Sequence, residues 1–568
     1  MIRVLSICWI QSLIISSLCA QEAEIAQIFT EENISLYGEA STKYLEWIAQ
    51  AADPNAGDSE DLKKHLRWIA LITPEQLQVN KSSRLLIAGQ GSFEDANRIV
   101  SWWRQQDPLP ATFDNERIEE HLYRVYYAER NYAYNKDSLG VDDRGRIFVR
   151  FGKPWRETVI SLLNPRLQIL PIEYRLPRNE LWVYRGIHDD AHFLFVQTSR
   201  RRPYRVTTSE SLIPSNLRGT RRRVEVLLAW MEDIFGQMAM QHDHYGTVYD
   251  AVSNYTALPT SAPLRPYEFS QRTIMDSRMR DDQHQKRREE TIPTSTTRVY
   301  GNAIELKPQV RFSRFLQEDG STRLETYWNL DVRDLRPSRS MLRRTRQLGQ
   351  KASDDYILSI GFAHRDSEFE PRNIQIRRYH LPEGSDTEPR VYSWVTSDLS
   401  SPSSMALQWT LHWTVPDSIP PQPSTIWGIG VMNLDGIDIL RSDDDSLELS
   451  DLKPLLLESA NTFDGATPLV DREIYSGIPL GLYFESYFLR FNETDRTNYT
   501  IEYSLSGENK EPITTSFEYE GYTATIREYI SIDIDQWDTP GPFVLTLTVT
   551  DLITGISVSR SIDLDYVK

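Results

Sequence analysis

Four sets of side chains along this 568-residue chain have types and spacings that can do chemistry. His188 with His192, and His242 with His244, stand close enough in sequence to share a metal ion. No His-Glu-x-x-His occurs, and His188 and His192 fall in an expected hairpin loop. Exposed or locally bonded histidines are therefore the expectation, and no metal is assigned. Two acidic runs, Asp142-Asp143 and Asp443-Asp444-Asp445, offer the clustered oxygens that calcium favours. Neither has the spacing of a calcium-binding loop, and turn or helix-cap chemistry is the simpler reading. Glu116, Glu119 and Glu120 fall within one turn region of a helix and can do acid–base work. Nothing marks a partner nucleophile, so no catalytic residue is assigned.

The third set is basic. Arg200, Arg201, Arg202 and Arg205 are followed by Arg218, Arg221, Arg222 and Arg223, in a chain of net charge −18. Such an island can hold phosphate or carboxylate groups through forked hydrogen bonds, with lipopolysaccharide phosphate or an acidic protein as candidates. The alternative is a solvated loop balanced by acidic neighbours. The fourth set lies in the stretch from Trp102 to Pro154. There Arg104, Asp107, Asn115, Glu116, Asp143, Arg144 and Arg146 are expected to form one buried polar network. Its first reading is a rigid joint between a helical domain and a sheet; its second is a ligand or partner site in the same place.

The elements that must position these groups follow from patterning. Residues 1–20 carry Arg3, then an apolar run to Leu18, then Leu18-Cys19-Ala20, the pattern of a secretory signal peptide. The leader's single cation takes the net charge from −18 to −19 when it is removed. Both cysteines, Cys8 and Cys19, lie in it, so the mature chain has no disulfide, cysteine nucleophile or thiolate metal site. An acidic exported chain argues against nucleic acid as a partner. Membrane contact is expected to be peripheral at most, because no second apolar run is long enough to span a bilayer.

Residues 21–105 read as a helical domain. Tyr37, Ala40, Tyr44 and Ile48 form one apolar face, Leu62, Leu66 and Ile69 another, and Thr73-Pro74-Glu75-Gln76 and Ser92 with Asp95 signal helix starts. A central α+β domain is expected over 106–266. It has a helix at 115–133, a strand at Arg146–Phe151, a hairpin of Glu180–Tyr184 with Phe193–Gln197, and a helix at 220–240. A charged helix over 267–290 then leads to a linker, Thr291–Thr297, chosen by its composition. Short strands at regular spacing over 298–460 and 470–568 predict two β-sandwich domains, the second immunoglobulin-like. The expected fold is thus multidomain α+β, helical first and all-β last.

The motifs of the central stretch carry a resemblance. Trp102-Trp103-Arg104, Asp107-Pro108, Asn115-Glu116 and a helix with Tyr123-Arg124-Val125 come first. Asp143-Arg144-Gly145-Arg146, then Gly152 and Pro154, complete the series. In this order they resemble the GWxTD-domain family of exported bacterial proteins, typical of the Bacteroidetes. The signature that names the family is eroded: aligned without a gap, only Asp143 survives of it. The resemblance implies a periplasmic, outer-membrane-associated or extracellular protein of the cell envelope, and a C-terminal β region of the kind found here.

The chain lacks Gly-x-Ser-x-Gly, His-Glu-x-x-His and a phosphate loop. A non-enzymatic scaffold or binding protein, engaging an envelope protein or glycan and needing no cofactor, is the leading expectation. The alternative is a glycoside or peptide hydrolase of envelope polymers that uses carboxylates near the central motif.

Overall fold

The structure is a computed structural model. It describes residues 38–568 except 54–58, 113–114, 172–173, 188–190, 220, 258–264, 298–302, 332–355, 366–370, 382–389, 400–402, 414–425, 442–445, 458–462, 464–465, 508–509, 533, 535–536 and 538–539. The leader, His188 and the Asp443–Asp445 run lie outside the described residues. The chain divides into two units. The first comprises residues up to Pro108 and from 113 to 301; the second comprises 109–112 and 302 onward.

The first unit begins with four helices, Gly38–Ala49 (α1), Glu60–Ile72 (α2), Gln78–Ile87 (α3) and Phe93–Gln105 (α4). Ser92 opens α4 with the expected capping box, its hydroxyl accepting from the Asp95 amide while Asp95 accepts from the Ser92 amide. The start expected at Thr73 is displaced. Thr73 instead closes α2, its hydroxyl donating to the Ile69 carbonyl, and α3 begins at Gln78. The next helices are Glu116–Asn131 (α5) and Asp143–Phe151 (α6). Ile118, Val125 and Val149 from these two join Ile48, Leu66, Ile69, Ile99 and Trp103 in one apolar core. The helical core therefore continues past residue 105.

The segment Arg146–Phe151 is a helix, which corrects the expected strand. Asp142 caps it, accepting from the Arg144 amide at 3.0 Å. Its apolar run serves two cores at once. Val149 packs with the helices, while Ile147, Phe148 and Phe151 pack with Trp182, Tyr184, Phe193 and Phe195. A segment buried on two sides has no single apolar stripe, so periodicity cannot separate helix from strand.

An antiparallel sheet follows, from Arg156–Thr158 (β1), Arg178–Val183 (β2), His192–Gln197 (β3) and Arg205–Val206 (β4), in that order. The β2–β3 hairpin is the one the alternation predicts. Helices Val224–Ala239 (α7), Gly246–Ala257 (α8) and Pro266–Thr291 (α9) complete the unit. Trp230, Met231, Ile234 and Phe235 of α7 share a core with Leu181, Leu194 and Val196 of the hairpin. The segment after α9, a linker by composition, is bonded to this unit. Ser295 donates to the Ile72 carbonyl, and the Thr296 amide donates to the Arg150 carbonyl.

The second unit is all strands among its described residues. Ile304–Glu305 (β5), Gln309–Leu316 (β6), Thr322–Asp331 (β7), Tyr356–Arg365 (β8), Pro371–Leu381 (β9), Arg390–Leu399 (β10), Ser403–Trp413 (β11) and Ile426–Ile437 (β12) come first. They build sheets of order β10-β7-β6 and β5-β12-β11-β8-β9, with one core including Trp328, Leu358, Phe362, Trp409 and Trp427. The remaining strands, Glu448–Leu449 (β13), Lys453–Leu456 (β14), Thr467–Pro468 (β15), Glu473–Tyr475 (β16), Leu480–Tyr487 (β17), Thr497–Gly507 (β18), Lys510–Gly521 (β19), Ile526–Ile532 (β20), Gly541–Asp551 (β21) and Ser557–Val567 (β22), form two further five-stranded sheets. Phe484 of β17, Ile501 of β18 and Leu547 of β21 meet in their shared core. Alternating buried residues along β18 and β21 turn one face inward, as period-2 patterning requires. Among the described residues no sheet closes on itself.

Candidate functional site: an arginine-lined pocket

The motif residues fall into separate bonded groups. At the first, Asn115 caps α5 by accepting from the Ile118 amide at 3.0 Å. Its amide group donates to the Trp103 carbonyl at 2.8 Å, and its backbone N–H donates to the Ser41 hydroxyl at 3.2 Å. One residue, through its side chain and its backbone, thus ties α1, α4 and α5 together. Trp103 is fully buried against His121, while Trp102, Arg104, Asp107, Pro108 and Tyr123 are half-buried. Burial pushes the Glu116 carboxyl well above the usual carboxylate range, and the neighbouring Asp107 and Glu119 carboxylates push the same way.

Arg124 is the second group. Its guanidinium donates to the carbonyls of Val149, Arg150 and Thr296, at 3.3, 3.1 and 2.7 Å, and to Glu120 at 2.5 Å. It therefore satisfies the last carbonyls of α6, which a helix leaves without partners. Gly152 follows with φ +70°, and a Cβ there would lie 3.0 Å from the Arg124 guanidinium, so both conformation and space demand glycine. Glu120 also accepts from Arg117 and Thr297, which fully engages it in structure. Pro154, just beyond, is buried.

The start of α6 holds the third group. Arg144 pairs with Asp142 at 2.7 Å and Glu180 at 2.6 Å, and its guanidinium lies 3.6 Å from the centre of the Tyr204 ring. Asp143 accepts from Arg205 at 2.7 Å and from the Val206 amide at 2.9 Å. Arg146 donates to both oxygens of Asp137, at 2.9 and 2.7 Å. A Cβ on Gly145 would sit 2.7 Å from Val141, so only glycine lets this turn close. The single network expected from sequence is thus several local ones, each locking an element end.

On the other side of α6 lies a cavity of about 380 Å³. Asp143, Arg146, Ile147, Arg150 and Phe151 line it from α6, Phe193 and Val206 from the sheet, and Gln285, Arg288 and Glu289 from α9. Leu71 and Ile292 complete the wall. Arg150 is held by its Nε, which donates to the Thr294 carbonyl at 2.7 Å, and lies over the Phe151 ring. Arg288 donates to the His192 carbonyl at 2.6 Å and lies over Phe193. Neither has a carboxylate within ion-pair distance among the described residues. Burial pulls the Arg150 guanidinium down to about 10, and the like charge of Arg288 acts in the same direction. The buried Nε of Arg146 has no hydrogen-bond partner among the described residues.

Sequence reasoning named Asp143 and Arg146 but missed Arg150 and Arg288. In a strand, Arg150 would face away from Ile147 and Phe151; in a helix, all three border one cavity. Arg288 was hidden in the charge-rich α9, where nothing local distinguishes it from its solvated neighbours.

Of the first histidine pair, His192 is described, and it meets the second pair. His192 lies 4.2 Å from His242, 4.2 Å from His284 and 5.0 Å from His244, between ring centres. His244 is 2.8 Å from Asp281, which also accepts from the Ser209 amide and hydroxyl. Burial holds His192 well below its ordinary range, and the other three histidines push it down further. Among the described residues no three such side chains converge as metal ligands. The arginine island does not form one bonded cluster. Arg200, Arg201 and Arg202 are exposed in the turn after β3, whereas Arg205 is engaged by Asp143. Arg221, Arg222 and Arg223 are exposed in a short helical turn, with Arg223 over Tyr174. Arg218 pairs with Glu210.

No family model matches the chain, and comparison with curated proteins finds no match. Among the described residues no helix is long and apolar enough to cross a membrane.

Proposed function

We propose that this is an exported, non-enzymatic binding or scaffold protein of the bacterial cell envelope, related to the GWxTD-domain family. The observation that carries the reading is the use made of the motif. Asn115, Arg124, Asp142, Asp143 and Arg144 are engaged in holding helix ends and strand edges. A motif of this kind builds a rigid frame, and rigid frames are what binding sites need. The sheet pairs of the second unit are read as β-sandwich modules, the last immunoglobulin-like. Exposed Phe517, Tyr519 and Tyr522, on β19 and just beyond it, supply flat apolar surface for a glycan or protein partner.

A second reading has one observation in its favour. The raised Glu116 carboxyl beside Asp107 is the arrangement that proton-transfer enzymes use, which keeps a hydrolase of envelope polymers in view. Both are tested by expressing the tagged full chain in the source bacterium, fractionating the cells and crosslinking the envelope. The binding reading expects envelope localisation and a reproducible crosslinked partner, unchanged in Glu116→Gln. Cytoplasmic localisation, or polymer cleavage that Glu116→Gln abolishes, overturns it.

A further inference from the structure

We infer that the cavity beside α6 binds a small organic anion, its carboxylate or phosphate held by Arg150 and Arg288 and its apolar body lying on Ile147, Phe151 and Phe193. The inference names the ligand class for the binding reading and rests on it. Two half-buried guanidiniums share one cavity, and neither is paired with a carboxylate among the described residues. Withdrawing such cations from water is unfavourable unless an anion compensates them. Nearby arginines are compensated by carboxylates: fully buried Arg124 by Glu120, and half-buried Arg144 and Arg146 by Asp142 with Glu180 and by Asp137. Arg150 and Arg288 are the exceptions among these, and both border open space.

The two heads are also pre-positioned. Each uses one N–H on a backbone carbonyl and rests on an aromatic ring, which fixes the plane of the fork and leaves the other donors for a ligand. The remaining charges of the cavity are balanced locally, Arg146 by Asp137 and Asp143 by Arg205. Glu289 is the carboxylate whose field reaches both arginines, and it is exposed. The walls argue for an organic ligand over a bare ion, because Leu71, Val206 and Ile292 join the apolar floor. A volume of about 380 Å³ suits a small molecule.

Calorimetric titration of the full chain with octyl phosphate, octanoate, octanol and inorganic phosphate tests this. Saturable one-to-one binding of at least one octyl anion is expected, with inorganic phosphate weaker and octanol silent. The preferred head group tells phosphate from carboxylate ligands. Arg150→Gln and Arg288→Gln should each weaken binding about tenfold or more, as loss of a charge-assisted contact does. Glu289→Gln, at an exposed position, should tighten it by about threefold, because it removes an opposing charge near both heads. No saturable binding of either octyl anion, octanol binding as tightly, or an affinity indifferent to all three substitutions overturns the inference. Proton NMR of the titrated ligand separates the two claims. An anion that binds and is converted supports the pocket but contradicts the non-enzymatic reading.

Discussion

Arg144 and Arg150 stand in the same short helix and meet opposite fates. Arg144 has two carboxylates and a tyrosine face for its charge, and lies where α6 begins. Arg150 has a backbone carbonyl, a phenylalanine ring and a second arginine acting on it across a cavity. The first arrangement is complete without a ligand. The second is not, and the difference separates residues that hold the fold from residues that wait for something. Buried charge is costly in both places; only the compensation differs.

Substitutions can break this comparison. Arg124→Ala should have the largest effect, a loss of about 3–5 kcal/mol measured by denaturant unfolding, because Glu120 and three carbonyls each lose a charge-assisted bond. Arg144→Met should cost about 3 kcal/mol, since buried Asp142 and half-buried Glu180 both lose their ion-pair partner. Arg150→Gln should change stability by less than about 1 kcal/mol, losing one hydrogen bond but relieving an uncompensated charge. A loss at Arg150 as large as that at Arg144 would erase the distinction. Glu116→Gln should stabilise the protein at neutral pH by about 1 kcal/mol, read as a higher Tm, because the raised carboxyl resists ionisation where it lies.

Acidity sharpens the contrast further. His65, His121 and His192 all lie in the first unit and are held below the ordinary histidine value by burial, His65 at about 4. In the unfolded chain they take up protons near pH 6.5, while in the folded chain they do not. Their contribution is therefore intact above about pH 6.5 and is lost progressively as the pH falls toward 4. Glu116 and Glu157 act in the opposite sense, since their raised values favour folding at lower pH, whereas the lowered carboxyls of Asp95 and Asp137 act with the histidines. Thermal unfolding followed from pH 7.5 to 4.5 should show falling stability, and His192→Phe should flatten part of that slope.

Much of the fold was legible. Alternation located β2, a continuous apolar run located β3, which is buried on both faces, and helical spacing located the apolar residues of α5 and α7, although α5 also buries Glu119 and Arg124, whose charge had suggested a solvent face. The helix α6 was not legible, since its Ile147, Phe148, Val149 and Phe151 serve two cores and show neither period cleanly. The pocket was hidden for a related reason. Arg150 and Arg288 lie on elements far apart in sequence, and no local pattern marks two arginines that will share a cavity without carboxylate partners. The histidines show the same limit, because His192 and His284 join His242 and His244 only through the packing of β3 and α9. The motif residues, by contrast, were visible individually, and only their division into separate bonded groups needed the structure.

The most direct test is the thermal shift caused by saturating octyl phosphate or octanoate in wild type and in the Arg150→Gln, Arg288→Gln double variant. At a hundred times the dissociation constant, a ligand of the folded state adds about 2.7 kcal/mol of stability. The account predicts a clear rise in Tm for the wild-type chain with at least one of the two anions, and none for the double variant. A wild-type Tm that neither anion moves, or an equal rise in both proteins, would contradict it.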